Sequence, residues 1–430
     1  MRQPTYTKCT ARAFEWRSGF DSSFILGELA KCRTVKDGKC SFKSMERQFW
    51  LPILKSAIKA DPCARTRKDN SIERALSTPS LTLRDTTAFL DQCNAHFEDS
   101  LKRPTKTFFV LCSFTYEGEK LFNTLSDGQH KVLWAQDSKS RAYKAAWVER
   151  TEMRHLLKAR GVPFNEKGLC DLMVSVRTHD SHQAVIEARD AVDRLRGILN
   201  LIANSNRSLN PFSGLGMSKP HAVNRFRPGP YVSVHNEDGS LATKTLWYEP
   251  RWSHETPTVK FGDGTAKIRR SISTWWRRSL AGPLSGHATD GLLRYCRALD
   301  QHDADAALVG LWSTIEALTC TQNARYEVTV NRVIKMFHDQ VAARQIAQHV
   351  RERRNSHIHA ANSPNGAESE AILLHADLLA NRLLSFCIEN QFALRNTEEL
   401  ALFLDLSTSE PRLKRERELA AHLIRYMRVM

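Results

Sequence analysis

The fold turns on two stretches in the last third of the chain, LWSTIEAL (311–318) and RERRNSHIHA (351–360). The first closes a segment, 304–318, in which Ala307, Leu308, Leu311, Trp312, Ile315 and Leu318 recur at helical spacing. One apolar stripe on a polar helix needs another helix to bury it. The neighbours supply that: 291–299, then 327–338 with Val328, Val330, Val333, Ile334 and Phe337, then 341–360, and after the polar break NSPNG a long leucine-rich segment, 368–390. Short connections between amphipathic helices of this length imply an antiparallel all-α bundle over 287–392. Segments 398–405 and 412–429 read as further helices in a C-terminal extension, 393–430.

Working towards the N-terminus, the pattern changes. TFFVLCSFTY (107–116) is short, apolar and aromatic and reads as a strand, with HKVLWA (130–135) as its partner across the DGQ turn. A helix over 141–160 stops at Gly161 and Pro163. DLMVSVR (171–177) is a second strand. It leads into an amphipathic helix over 181–204, with Ala184, Val185, Ala188, Ala191, Val192, Leu195, Ile198 and Leu199 in register. Residues 231–235 and 243–248 form a hairpin around EDGS, and 206–220 is a long loop. The segment 106–286 is thus a mixed α/β domain, and 1–105 is a region of no readable fold. The whole is a multidomain α+β chain.

Of the 430 residues, 41% are hydrophobic and 26% charged, which excludes a mostly disordered chain. No apolar run reaches the roughly 18 residues of a membrane span, so no membrane partner is expected. The first residues lack a secretory signal. Ten cysteines spread singly fit reduced thiols in a cytoplasm, and the lack of a CxxC pair argues against a zinc site. Walker loops and nucleophile elbows are also missing, so no cofactor and no metal are expected. HDSH (179–182) offers His179, Asp180 and His182 as ligands, though an Asp or Ser helix cap is the commoner use of such a turn.

The net charge of +16 is unevenly placed. Residues 1–286 hold 46 basic and 29 acidic side chains, 287–392 hold 10 and 12, and 393–430 hold 7 and 6. A polyanion such as RNA would be drawn to the front two-thirds. The densest cluster there is KIRRSISTWWRR (267–278). Lys267, Arg269, Arg270, Arg277 and Arg278 could attract phosphates while Trp275 and Trp276 stack on bases. The same pattern suits a helix that packs its tryptophans and turns its cations to water.

An arginine with a histidine five positions on carries little information by itself, since about 1.5 such pairs are expected by chance. Six occur: Arg150/His155, Arg177/His182, Arg297/His302, Arg344/His349, Arg354/His359 and Arg417/His422. Context favours Arg354/His359. It ends a bundle helix before a polar break, and Asn355 and His359 share a helix face. On the helix two before it, Glu316 sits among core residues and needs a polar partner. Arg354 and His359 stand about 140° apart on an ideal helix, so either a long arginine or a local irregularity must join them. Arginine can hold a phosphate by two parallel hydrogen bonds, and histidine can move a proton at neutral pH.

The ordered set LWSTIEAL, a helix carrying Arg332, RERRNSHIHA and a long leucine-rich helix resembles the HEPN superfamily, specifically its Apea-like branch, over about 287–392. Arg354, Asn355 and His359 match the family's arginine–polar–histidine motif; Ala360 stands where glycine often follows. His357 and Arg353 remain alternative members of the pair. The resemblance implies a metal-independent endoribonuclease: 2′-OH attack yielding a 2′,3′-cyclic phosphate, with Arg354 on the phosphate, His359 moving the proton, Asn355 orienting both and Glu316 in support. It also implies RNA as substrate, a homodimer through the bundle, and bacterial anti-phage defence with a phage trigger or antitoxin. The rival reading is an inactive dimerisation or adaptor bundle on a nucleic-acid-binding front domain.

Overall fold

The computed structural model describes residues 12–61, 64, 67–135, 141–159, 168–205, 223–243, 247–249, 265–322, 324–360 and 366–429, with backbone alone at 156, 265, 357–360, 366–370, 426, 428 and 429. The chain is mixed α/β with a helical C-terminal region. It divides into two compact units, Met1–Thr107 with Arg177–Ile186, and Phe108–Val176 with Glu187–Met430.

The first unit runs β1 (Phe14–Trp16), α1 (Ser22–Lys31), β2 (Arg33–Lys36), β3 (Lys39–Phe42), α2 (Ser44–Ala57), β4 (Ile58–Ala60), α3 (Lys68–Leu76) and α4 (Thr86–Lys102). Asp37 and Gly38, at φ 51° and 69°, make the turn between β2 and β3. Two positive φ angles match the right-handed twist of a hairpin, and Asp-Gly tolerates them. β1 pairs antiparallel with β4, Phe14 opposite Ala60. Asp21 and Asp85 cap α1 and α4 by accepting from backbone N–H groups of their first turns. Leu26, Leu29, Leu54, Ile58, Ile72, Phe89 and Phe97 fill the core between these elements.

The second unit opens on a six-stranded sheet. Its strands are β5 (Lys106–Thr115), β6 (Thr124–Ser126), β7 (His130–Trp134), β8 (Leu169–Thr178), β9 (Tyr231–Asn236) and β10 (Trp247–Tyr248), in the order β10-β9-β5-β8-β7-β6. Residues 130–135 therefore do not pair with β5 as expected. β7 lies between β6 and β8, antiparallel to both. The Asp127–Gln129 turn is too short to bring β7 to anything but the strand just before it, and that strand, three residues long, leaves no periodicity to read. α5 (Arg141–Ala159) packs on Phe109, Leu111, Leu133 and Met173. α6 (Ser181–Asn204) lies by Val110 and Cys112, the alternate side chains of β5. A strand covered on both faces reads as one apolar run, as 107–116 does. The loop expected over 206–220 lies outside the described residues.

The helical region comprises α7 (Thr265–Leu280), α8 (Ser285–Leu299), α9 (Ala304–Leu318), α10 (Tyr326–Val333, continued by a 3-10 turn to Met336), α11 (Gln340–Ala360), α12 (Gly366–Glu389), α13 (Thr397–Asp405) and α14 (Glu410–Val429). α9 is packed by α8, α11 and α12. Leu308, Leu311, Trp312, Ile315 and Leu318 are all buried, as their spacing requires. A Cβ on Gly291 would come within 2.6 Å of Leu318, so glycine permits the close approach of α8 to α9. The segment Ala371–Glu389 is long and apolar enough by composition to cross a bilayer, but most of it is buried, and it serves as a core helix of the bundle.

Sheet and bundle, read from the sequence as separate domains meeting at 286/287, share this one unit. Buried polar side chains of α6 join them. Arg196 donates to both oxygens of Asp300 at 2.8 and 2.7 Å and to Asp193 at 2.6 Å. Arg297 of α8 donates to Asp193 at 3.1 Å. Asn204 donates to Asp377 of α12 at 3.3 Å, and Tyr295 donates to the same carboxylate at 2.5 Å.

Candidate functional site

α11 stays α-helical through Ala360, so no local irregularity draws positions 354 and 359 together. Their directions differ by about 140°, whereas 354 and 357 are neighbours on one face. The side chains of His357 and His359 lie outside the described residues. Arg354 is half-buried. Its Nη1 donates to the Tyr326 hydroxyl at 2.8 Å and to Asn355 Oδ1 at 3.0 Å. Its Cζ sits 5.1 Å from the Tyr326 ring centroid, a cation–π distance. Its Nε is buried and makes no hydrogen bond. Among the described residues no carboxylate pairs with Arg354.

The other arginines of α11 are differently placed. Arg353 meets the buried Asp305 of α9 at 3.4 Å. Arg351 meets Glu327 at 3.1 Å and Glu352 at 2.5 Å. Among the described residues Glu316 takes no basic partner from a facing helix. It accepts from the indole N–H of Trp312 at 2.7 Å, one turn back on its own helix. Helical spacing already holds that bond within reach, so α9 answers its own carboxylate. Arg332 reaches the other way: Nε and Nη2 donate to the two oxygens of Asp405 at 2.8 and 2.6 Å, clasping α13. Tyr326, the first residue of α10, escaped sequence reasoning because its partners Trp312 and Arg354 are remote in the chain.

Two of the other arginine–histidine pairs have structural arginines. Arg150 is fully buried, donates to Leu111 O at 2.8 Å and to Ser233 at 3.1 Å, and lies over the Tyr231 ring at 4.0 Å. Arg297 is tied to Asp190 and Asp193.

On α7 the cations and the tryptophans part company. Lys267, Arg269, Arg270, Arg277 and Arg278 lie on the outward, exposed face. Trp276 is 3% exposed, its indole N–H donates to Ser126 O at 2.9 Å, and Arg194 lies over its ring at 5.1 Å. It is not available to stack on a base, which corrects that expectation. An amphipathic helix buries the larger ring surface against the sheet edge. Trp275 is half-buried. Arg269 also donates to Lys120 O at 2.5 Å, and its salt bridge to Glu119 is 3.3 Å long.

Beneath α7 lies a charged cluster that the sequence did not announce. His130 bonds Asp127 at 2.8 Å and Glu187 at 3.1 Å, and Arg194 donates to Asp127 at 3.1 Å. Burial opposes the imidazolium, but the bonds to Asp127 and Glu187 outweigh it and push His130 up to about 9. The one local signal was DGQH (127–130), a turn whose aspartate can reach the histidine three residues on.

Asp193, Cys296 and Asp300 offer donor atoms within 4.8 Å of one another. Arg196 already occupies both carboxylates, so the cluster is an ion-pair network and does not suit a cation. At 179–182 the cap prevails. Asp180 Oδ1 accepts from Gln183 N at 2.8 Å, and His179 bonds Arg103 O at 2.6 Å. The thiols of Cys32, Cys40, Cys93, Cys112, Cys170, Cys296, Cys320 and Cys387 are free.

Compared with protein-family models, with curated proteins and with solved structures, the chain finds no match in any of the three.

Proposed function

We propose that the chain is a metal-independent endoribonuclease of the HEPN type, acting on RNA in the cytoplasm. The 2′-OH oxygen attacks the adjacent phosphorus, histidine takes its proton, and the 5′-oxygen leaves with a proton, giving a 2′,3′-cyclic phosphate. Arg354 holds the phosphate, Asn355 orients it, and His359 moves the proton, with His357 as the alternative. An unbroken α11 turns 354 and 359 in different directions, which favours a homodimer whose two motifs share a cleft. The basic front of the chain would bind RNA or sense a phage trigger, in a role in bacterial defence.

The observation that carries this reading is the company of Arg354. Among the described residues it is held by neutral oxygens and an aromatic ring, with no carboxylate to answer its charge. The rival, an inactive adaptor bundle, draws on the burial of Arg354 Nε. Incubating the full chain with single-stranded RNA in EDTA separates them. The nuclease cuts, Arg354→Ala and His359→Ala do not, and His357→Ala is milder than His359→Ala. RNA left intact at high protein concentration favours the adaptor.

A further inference from the structure

Among the described residues the guanidinium of Arg354 is hydrogen-bonded through Nη1 only. Nη1 serves Tyr326 and Asn355. Nη2 donates to no described residue, and Nε has no hydrogen-bond partner. Nε is sealed from solvent, so Nη2 is the end of the guanidinium whose N–H groups can be offered to a phosphate. Tyr326 is fixed in turn. Its ring meets that of Trp312 edge-on, centroids 6.4 Å apart at 61°. Trp312 is 1% exposed and anchored through its indole N–H to Glu316. A brace thus runs from α9 through α10 to α11, namely Glu316, Trp312, Tyr326, Arg354.

We infer that Tyr326 is a positioning residue for the ribonuclease reaction, holding Arg354 with its Nη2 presented to the scissile phosphodiester. The inference rests on the nuclease reading above. An unbraced arginine has to freeze its side-chain torsions on the substrate, whereas a braced one meets the phosphate already oriented. A phenol is suited to this because it holds the guanidinium without cancelling its charge. Arg353 shows the opposite arrangement, with its charge met by Asp305. Tyr326 is 36% exposed, so its hydroxyl can be removed with little disturbance to the core.

The test compares the full-length wild type with Tyr326→Phe and Tyr326→Ala on a fluorophore–quencher single-stranded RNA, alongside thermal melts. For Tyr326→Phe the expected result is a kcat about tenfold lower, KM within about twofold and a melting midpoint within about 2 °C; Tyr326→Ala, which also loses the ring, falls further. An unchanged kcat in Tyr326→Phe overturns the inference. So does a raised KM with kcat intact, which marks plain substrate binding, or a drop in midpoint matching the drop in rate, which marks a structural role. A wild type that cuts no RNA removes the nuclease reading and this inference together, a result distinct from a cutting enzyme indifferent to Tyr326.

Discussion

Arg196 and Arg354 lie in the same compact unit and differ in everything but chemistry. Arg196 is 1% exposed, and two carboxylates and the Phe226 carbonyl accept from its Nη1 and Nη2. Burial opposes its charge, yet Asp300 and Asp193 hold its pKa well above the ordinary arginine value. Arg354 is half-buried and rests on neutral oxygens. A guanidinium whose charge is answered by carboxylates cements helices; on the proposed function, one that meets no carboxylate among the described residues would take an anion from outside.

The contrast breaks most visibly at Arg196. Arg196→Ala leaves Asp193 and Asp300 without their shared cation, and chemical denaturation should show a loss of about 3–5 kcal/mol. Arg354→Ala should cost under about 1 kcal/mol by the same measurement, while cleavage falls by at least about 100-fold. Were Arg354→Ala as destabilising as Arg196→Ala, the distinction would be lost.

His130 sharpens it from the other side, as a second cation answered by carboxylates. Its folded pKa, about 9, stands above an unfolded value of about 6.5. The stability it contributes is fully present below about pH 6.5 and lost as pH rises through about 9, by about 3 kcal/mol. Melts across that range should show the loss, and His130→Gln should flatten it. The smallest effects belong to α7. Arg277→Gln with Arg278→Gln should leave stability within about 0.5 kcal/mol. The salt dependence of RNA binding should become shallower, by about 0.7 in slope for each phosphate no longer neutralised. An unchanged salt slope would take α7 out of the RNA path.

The helices were legible because burial is periodic. All eight apolar positions picked out on α6 are buried, as are those on α9. The first unit was not, because β1 and β4 are three residues each and find one another across more than forty positions. Its one local signal was Asp37-Gly38 between two β-prone tetrads. The joining of sheet to bundle was hidden for a related reason: Arg196, Asn200 and Asn204 read as the polar face of α6 until their partners on other segments are seen. At the candidate site, Arg354 and Asn355 are adjacent in sequence and their bond could be anticipated. Tyr326 could not, since an aromatic at a helix start says nothing about a guanidinium 28 residues on.

The most direct test is a short RNA carrying a single cut site, offered to wild type and to Arg354→Ala in EDTA, with a copy bearing 2′-deoxyribose at that site. Wild type should leave a 2′,3′-cyclic phosphate on the all-ribose strand alone, and Arg354→Ala should leave both strands whole. Equal cutting by the two proteins, or scission of the deoxy-substituted strand, would contradict the account.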